Sequence, residues 1–312
     1  MAMSTATPTS GGAFAKKIYR AVGFTKAYNF WLWLILSTFF LGFVLLRLSY
    51  LDFSGVFCGS VSGGKDHASP GECFYYLQPG RYQLGIILHL GCILPASILA
   101  ATQFVPLFRR KAMRLHRING WISVVLGIVS TVGSVAIARR AMGGGLDTQS
   151  MVGMLAIMFV VSLTMGCIKA RNHKIEEHRA WMLRAWVYSG SIISMRIIMT
   201  AAMIILSSIG GYYSAQPCDK INFILQGENA TMASYPDCAP FFSGEDPDRH
   251  IAVRANVFTD DKVQIAAIIN MVFGMSGWVG IAFNTIGVEL YVSLGLNPLV
   301  HERKCVASFF IN

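Results

Sequence analysis

One carboxylate interrupts the long apolar runs of this chain: Glu289, in Asn284-Thr285-Ile286-Gly287-Val288-Glu289-Leu290. A carboxyl group in a low-dielectric site is held in its neutral form, which suits a general acid. A salt bridge to Arg184 is the structural alternative for the same residue. Arg196, in Ser194-Met195-Arg196-Ile197, is the deepest cation, and an ionisable group inside an apolar run is a functional candidate by default. Its alternative is a structural charge paired with a carbonyl or a polar side chain. His89 lies within an apolar run, and His116 and His178 each precede an arginine where another run begins. That doubled His-Arg places two proton-handling groups at one level, near Arg184 and Glu289. Asn270 and Asn284 add amides that serve either a site or helix packing. Asp52 and Glu72, in a connecting segment, are the reserve acids. Arg47 ends a run and is expected to snorkel.

The elements that position these groups follow from composition. Of 312 residues, 54% are hydrophobic and only 13% charged, and the mean hydropathy is +0.51. Soluble domains carry about 25% charged residues. The deficit excludes an ordinary soluble enzyme, a disordered chain and a nucleic-acid-binding domain. Apolar runs at 30–46, 82–105, 118–138, 151–168, 181–209 and 263–294 predict six transmembrane helices, an all-α polytopic bundle. The first run is too long for a cleaved signal segment and lacks a small-residue cleavage site. The last two exceed the minimum and are expected to tilt, kink or extend beyond the bilayer.

Lys and Arg placement gives the orientation. Lys16, Lys17, Arg20 and Lys26, the Arg109–Arg117 cluster, Lys169, Arg171, Lys174 and Arg179, and Arg303 and Lys304 share one side. The acidic residues concentrate on the other. This predicts a cytosolic tail at 1–28, a six-span membrane domain at 29–296 with outer loops 52–81, 139–150 and 210–262, and a second cytosolic tail at 297–312. The net charge of +10 is then that of cytosolic loops. Cys58 and Cys73, and Cys218 and Cys238, fall in outer loops, where they form disulfides as two local pairs or two cross-pairs. Asn229-Ala230-Thr231 is an N-glycosylation acceptor in the same region. Together these favour the endoplasmic reticulum membrane.

Cofactor motifs are sparse. The sequence has no P-loop, no dinucleotide glycine fingerprint, no Gly-x-Ser-x-Gly elbow, no Asp-Asp-x-x-Asp diphosphate motif and no Cys-x-x-Cys. Bis-histidine haem needs two histidines at matching depth. His89 lies toward the outer level and His116 and His178 toward the inner, so no cofactor is expected. A haem electron carrier is the alternative, and a non-catalytic membrane protein is a further one.

The pattern of His89, then His116-Arg117-x-x-Gly120, then His178-Arg179-x-Trp181-Met182-x-Arg184, ending near Arg196, resembles a multi-pass membrane family of unknown function. Its fungal members are similar to the membrane-bound terpene cyclases of the ascofuranone and ascochlorin pathways. The resemblance covers about residues 80–200. It implies a cyclase of fungal meroterpenoid biosynthesis, acting on a prenylated, epoxidised aromatic substrate in the lipid phase. The expected chemistry is protonation of the epoxide, with Glu289 as first acid and His116 or His178 holding or relaying the proton. Aromatic faces stabilise the cation, with Trp121, Trp181, Trp186, Tyr188, Phe273, Trp278 and Phe283 available.

Overall fold

The computed structural model describes residues 10–59 and 68–295, without the side chains of 10–15 and 295. His67, His301, Cys305 and the expected tail at 297–312 lie outside the described residues. The chain begins with α1 (Ser10–Ala21) and α2 (Ala27–Leu46). The short α3 (Cys73–Tyr76) leads into α4 (Arg81–Gln103), α5 (Pro106–Lys111), α6 (Met113–Ile137) and α7 (Leu146–Arg171). Next come α8 (Ile175–Ser189), α9 (Ser191–Ile209), strand β1 (Tyr213–Pro217), α10 (Cys218–Leu225), α11 (Glu228–Ser234) and α12 (Ala239–Phe242). Strand β2 (His250–Arg254) and α13 (Lys262–Gly295) close the described chain.

Among the described residues six helices are long and apolar enough to cross a membrane: α2, α4, α6, α7, α8 with α9, and α13. Twenty residues at about 1.5 Å each span a hydrocarbon core. The large apolar side chains left exposed, such as Phe39, Ile197, Phe283 and Ile286, are those a lipid-facing surface requires. The protein is a multi-pass, mostly helical membrane protein.

The described residues divide into two compact units, one from 10–51 and 90–130, the other from 52–59, 68–89 and 131–295. In the first, Phe24, Phe30 and Trp33 pack ring to ring at 5.4–6.1 Å. The Leu107 N–H donates to the Val22 carbonyl, so α5 is tied back to the turn after α1. Arg47 lies over the rings of Phe43 and Tyr50.

In the second unit α13 is the central helix. Gly274, Gly277 and Gly280 line the side where neighbours approach. A Cβ would meet Asp147 and Thr148 of α7 at Gly274, Met151 of α7 at Gly277, and Ser191 and Met195 of α9 at Gly280. Small residues permit this approach where lipid supplies no hydrophobic drive between helices. The long fifth run is interrupted at Gly190, between α8 and α9. Asn284 of α13 bridges the break, donating to the Val187 carbonyl (2.8 Å) and accepting from the Ser194 hydroxyl (2.8 Å). Asn284 therefore acts in packing.

The segment at 210–262 is expected as an outer loop, and within the mostly helical fold it carries the two strands found among the described residues. It folds into a cap with a two-stranded antiparallel sheet, Tyr213 opposite Arg254 and Pro217 opposite His250. Ile251 and Val253 point inward while His250, Ala252 and Arg254 are exposed, the period-two alternation of a one-sided sheet. Ile221, Cys218, Cys238 and Val253 share one core with Val263, Ile268, Val272 and Met195 of the helices. The disulfides take the local option, Cys58–Cys73 and Cys218–Cys238, and Cys92 and Cys167 are free.

Candidate functional site

Glu289 is not the buried neutral acid that its apolar run suggests. Arg184 of α8 grips it with Nε at 2.6 Å and Nη2 at 2.7 Å, and the Tyr188 hydroxyl donates at 3.2 Å. The Glu289 side chain is 46% exposed and that of Arg184 17%. A two-point guanidinium–carboxylate pair favours the ionised form on both partners. Arg184 also lies 5.0 Å from the Trp181 ring centroid. The cluster clasps α8 to α13. It is the salt-bridge alternative foreseen for Glu289.

His178 is likewise held in place, its Nδ1 2.9 Å from the Gly166 carbonyl of α7. At the same glycine, Met182 of α8 fills the space where a Cβ would go. His116 belongs to the first turn of α6, in the other compact unit, where its N–H donates to the Ala112 carbonyl. His89 is half-buried where α4 passes α6, and a Cβ on Gly133 would lie 2.8 Å from the His89 nitrogen. Of the aromatics, Phe283 is 72% exposed and Trp121 50%, so neither lines an interior. Trp278 donates to the Ser150 hydroxyl, and Trp186 packs edge-on against Phe159. Asp52 is spent on its own turn, accepting from the Gly55 N–H.

The reserve acid Glu72 is the buried one. Its side chain and that of Lys220 are each 2% exposed, with Nζ 3.9 Å from Oε1. Oε2 accepts from the Met142 N–H (2.9 Å) and faces the Tyr76 hydroxyl (3.4 Å), whereas buried Oε1 has no hydrogen-bond partner. Local sequence explains the placement. Glu72 precedes α3, whose first residue is the disulfide-bonded Cys73, and Lys220 follows the second disulfide's Cys218 by two. Gly71 has φ +79°, and a Cβ there would strike the Lys220 stem at 2.5 Å. Met142 takes a left-handed φ of 48°, a strained conformation for a side-chain-bearing residue, and its N–H is the one Glu72 captures.

Burial pushes the Glu72 carboxyl above its ordinary value, against the pull of Lys220, the Met142 N–H, Tyr76 and Arg196. Burial pushes Lys220 down, opposed by Glu72 and Asp219. The Tyr76 hydroxyl is raised by burial and by Glu72. Arg196, the deepest cation, thus bears electrostatically on Glu72, while its guanidinium sits 5.6 Å from the Phe273 ring centroid.

Beside the pair lies a cavity of about 300 Å³, lined among others by Tyr75, Arg140, Gln216, Lys220, His250 and Asn270. Arg140 stacks on Tyr75 at 4.7 Å, and the Asn270 amide donates to Gln216 Oε1 at 3.2 Å. None of Lys220, Tyr75, Tyr76, Arg140 or Gln216 was singled out from sequence. The available signal was a charged residue within two positions of a cysteine in each of two loops, Glu72 and Lys220. Asn229 is exposed at the start of α11, while the Thr231 hydroxyl is buried and donates to the Gly227 carbonyl.

Residues 86–215 match the family described as "Predicted membrane protein (DUF2306)". The chain is also 23% identical to "Ava biosynthesis cluster protein G" of Aspergillus versicolor, over 88% of this chain and 91% of that protein. No solved structure matches. His89, His116, Arg140, His178, Arg184 and Arg196 lie inside the family stretch, and Glu72, Lys220 and Glu289 outside it.

Proposed function

We propose that this protein is a membrane-bound terpene cyclase of fungal secondary metabolism, opening an epoxide on a prenyl chain with Glu72 as the acid. The observation that carries the reading is a carboxyl group 2% exposed, held above its ordinary pKa beside a polar cavity. The likeness to a fungal biosynthesis cluster protein supports the setting. Protonated Glu72 gives its proton to the epoxide oxygen as the tertiary C–O bond breaks. A double bond or hydroxyl of the same molecule attacks the cation and closes the ring. A base removes one proton from the product, and a proton returns to Glu72, so substrate and product are isomers. Lys220, the Met142 N–H and Tyr76 stabilise the carboxylate formed in the first step.

In this reading Glu289 and Arg184 are a structural clasp, His178 ties α8 to α7, and Arg196 sets the field at Glu72. The charge contrast of the loops supports cytosolic termini with the Glu72 side outward, and the outer cysteines with the Asn229 acceptor favour the endoplasmic reticulum. Tags at both ends should be protease-accessible in sealed microsomes; protection of either one overturns that orientation. The activity test uses microsomes with an epoxyfarnesyl-phenol substrate. Ring closure by the wild type and its loss in Glu72→Gln at equal protein level is the expected result. Failure of the wild type to convert any epoxyprenyl phenol removes the cyclase reading.

A further inference from the structure

Lys220 is a buried ammonium with three donors, yet its carboxylate neighbour Glu72 stands 3.9 Å away, beyond the 2.7–2.9 Å or so of a charge-assisted hydrogen bond. Glu72 Oε1, facing it, is buried and without a hydrogen-bond partner. Lys220 itself lines a cavity, so its ammonium is placed to engage a group there. Across that cavity stand the Arg140 guanidinium, braced on Tyr75, and the linked amides of Gln216 and Asn270. The lining contains two basic side chains, Arg140 and Lys220, and no carboxylate. Asp219 lies nearby but its Oδ1 accepts from the Lys220 backbone N–H. These groups come from four separate segments of one compact unit: the turn after α6, β1, α10 and α13.

We propose that this cavity binds the oxyanion of an acidic ring-bearing head group, a carboxylate or an ionised phenol. Arg140 and Lys220 supply its charge, and Gln216 and Asn270 its remaining hydrogen bonds. A guanidinium suits planar oxyanions by its fork of donors, and the volume is at the lower end of small-ligand pockets, which begin near roughly 300 Å³. The lining is too polar for the isoprenoid tail, so the tail lies outside it. That the ligand is the substrate rests on the cyclase reading; the anion site itself does not. A prenyl chain folded for ring closure returns its oxidised end toward its head, so one acid serves beside the head-group site.

Salicylate, which carries a carboxylate and a phenol on one ring, is the probe, titrated calorimetrically into the full-length protein in nanodiscs against empty nanodiscs. Saturable binding is expected, weakened about 10-fold or more in Arg140→Gln, the loss of one charged hydrogen bond. Arg140 is exposed, so this variant should fold. Lys220→Met should also lose binding; if it fails to fold, Lys220→Met combined with Glu72→Gln, which removes both buried charges, replaces it. No saturable binding, equal affinity for uncharged salicylamide, or an unchanged affinity in Arg140→Gln overturns the site. Displacement of salicylate by an equal concentration of inorganic phosphate overturns the ring-bearing ligand. Turnover of the epoxyprenyl phenol is measured in parallel. Binding without turnover keeps the anion site and removes the cyclase, whereas turnover without binding does the reverse.

Discussion

Glu289 and Arg184 meet through two hydrogen bonds, 2.6 and 2.7 Å, with the carboxylate 46% exposed. Glu72 and Lys220 stand 3.9 Å apart with 2% of either side chain exposed. Both are carboxylate–cation pairs within one compact unit, and they differ in what is left unsatisfied. In the first, both carboxylate oxygens accept guanidinium hydrogen bonds, so neither partner gains by moving a proton. In the second, burial penalises both charges and the distance denies them a hydrogen bond. A carboxyl group so placed is ready to exchange a proton with a third party. Depth along an apolar run is therefore a poor guide to burial, because a charge at a helix end can reach a partner. Enclosure by several segments is the better guide.

The largest effect that separates the pairs is on turnover. Glu72→Gln should lower cyclisation by about 10²–10⁴-fold, the usual contribution of a general acid, with expression retained. Glu289→Gln should leave specific activity within a few-fold and lower expression instead. The reverse outcome in microsomes normalised to protein level would restore Glu289 as the acid and empty Glu72 of its role.

Next comes the loss of the cation. Lys220→Met removes the partner of a buried carboxylate, for which about 3–5 kcal/mol is typical. This deficit should depend on pH. The folded Glu72 carboxyl lies above its ordinary 4.5, so the folded state keeps a proton that the unfolded chain releases. Stability is then greatest below 4.5 and is lost as pH rises from there through the raised folded value. Thermal unfolding of Lys220→Met across that window should show the deficit shrinking toward acid. A deficit independent of pH would mean that Glu72 is not the titrating group. Arg184→Met, by contrast, breaks a half-exposed pair worth about 1 kcal/mol.

The disulfides sharpen the comparison because they flank only one pair. Each closes a short loop, 15 and 20 residues apart in sequence, and removing one should cost about 3 kcal/mol. Cys58→Ser with Cys73→Ser should lower both the melting temperature and the Glu72-dependent rate, since Cys73 adjoins Glu72. Thiol alkylation without reduction should leave these four cysteines unmodified, and their labelling would refute the bracing. The smallest effect is expected for Tyr76→Phe, which deletes a hydroxyl 3.4 Å from Oε2. A few-fold change in rate is its measure, and a loss as deep as that of Glu72→Gln would make Tyr76 a proton carrier in its own right.

Six apolar runs about as long as a bilayer is thick fixed the helical class, because hydrocarbon leaves no other way to satisfy a single-segment backbone. Cysteines clustered in two loops narrowed the disulfides to local or crossed pairs. The intramembrane ionisable residues were visible one by one, and the Arg184 alternative for Glu289 was among them. What the sequence did not determine was which cation each carboxylate would meet. Lys220 is 148 positions from Glu72 by number, in a segment whose polar composition reads as a solvated loop. Only when 210–262 folds as a cap, with Ile221 and Val253 drawn into the helical core, does that lysine lose its water and reach Glu72. Hydropathy reports the burial of residues one segment at a time. The enclosure of a charged pair by α3, the Met142 turn, α10 and α13 is a property of their packing together, and that packing made the reserve acid the buried one.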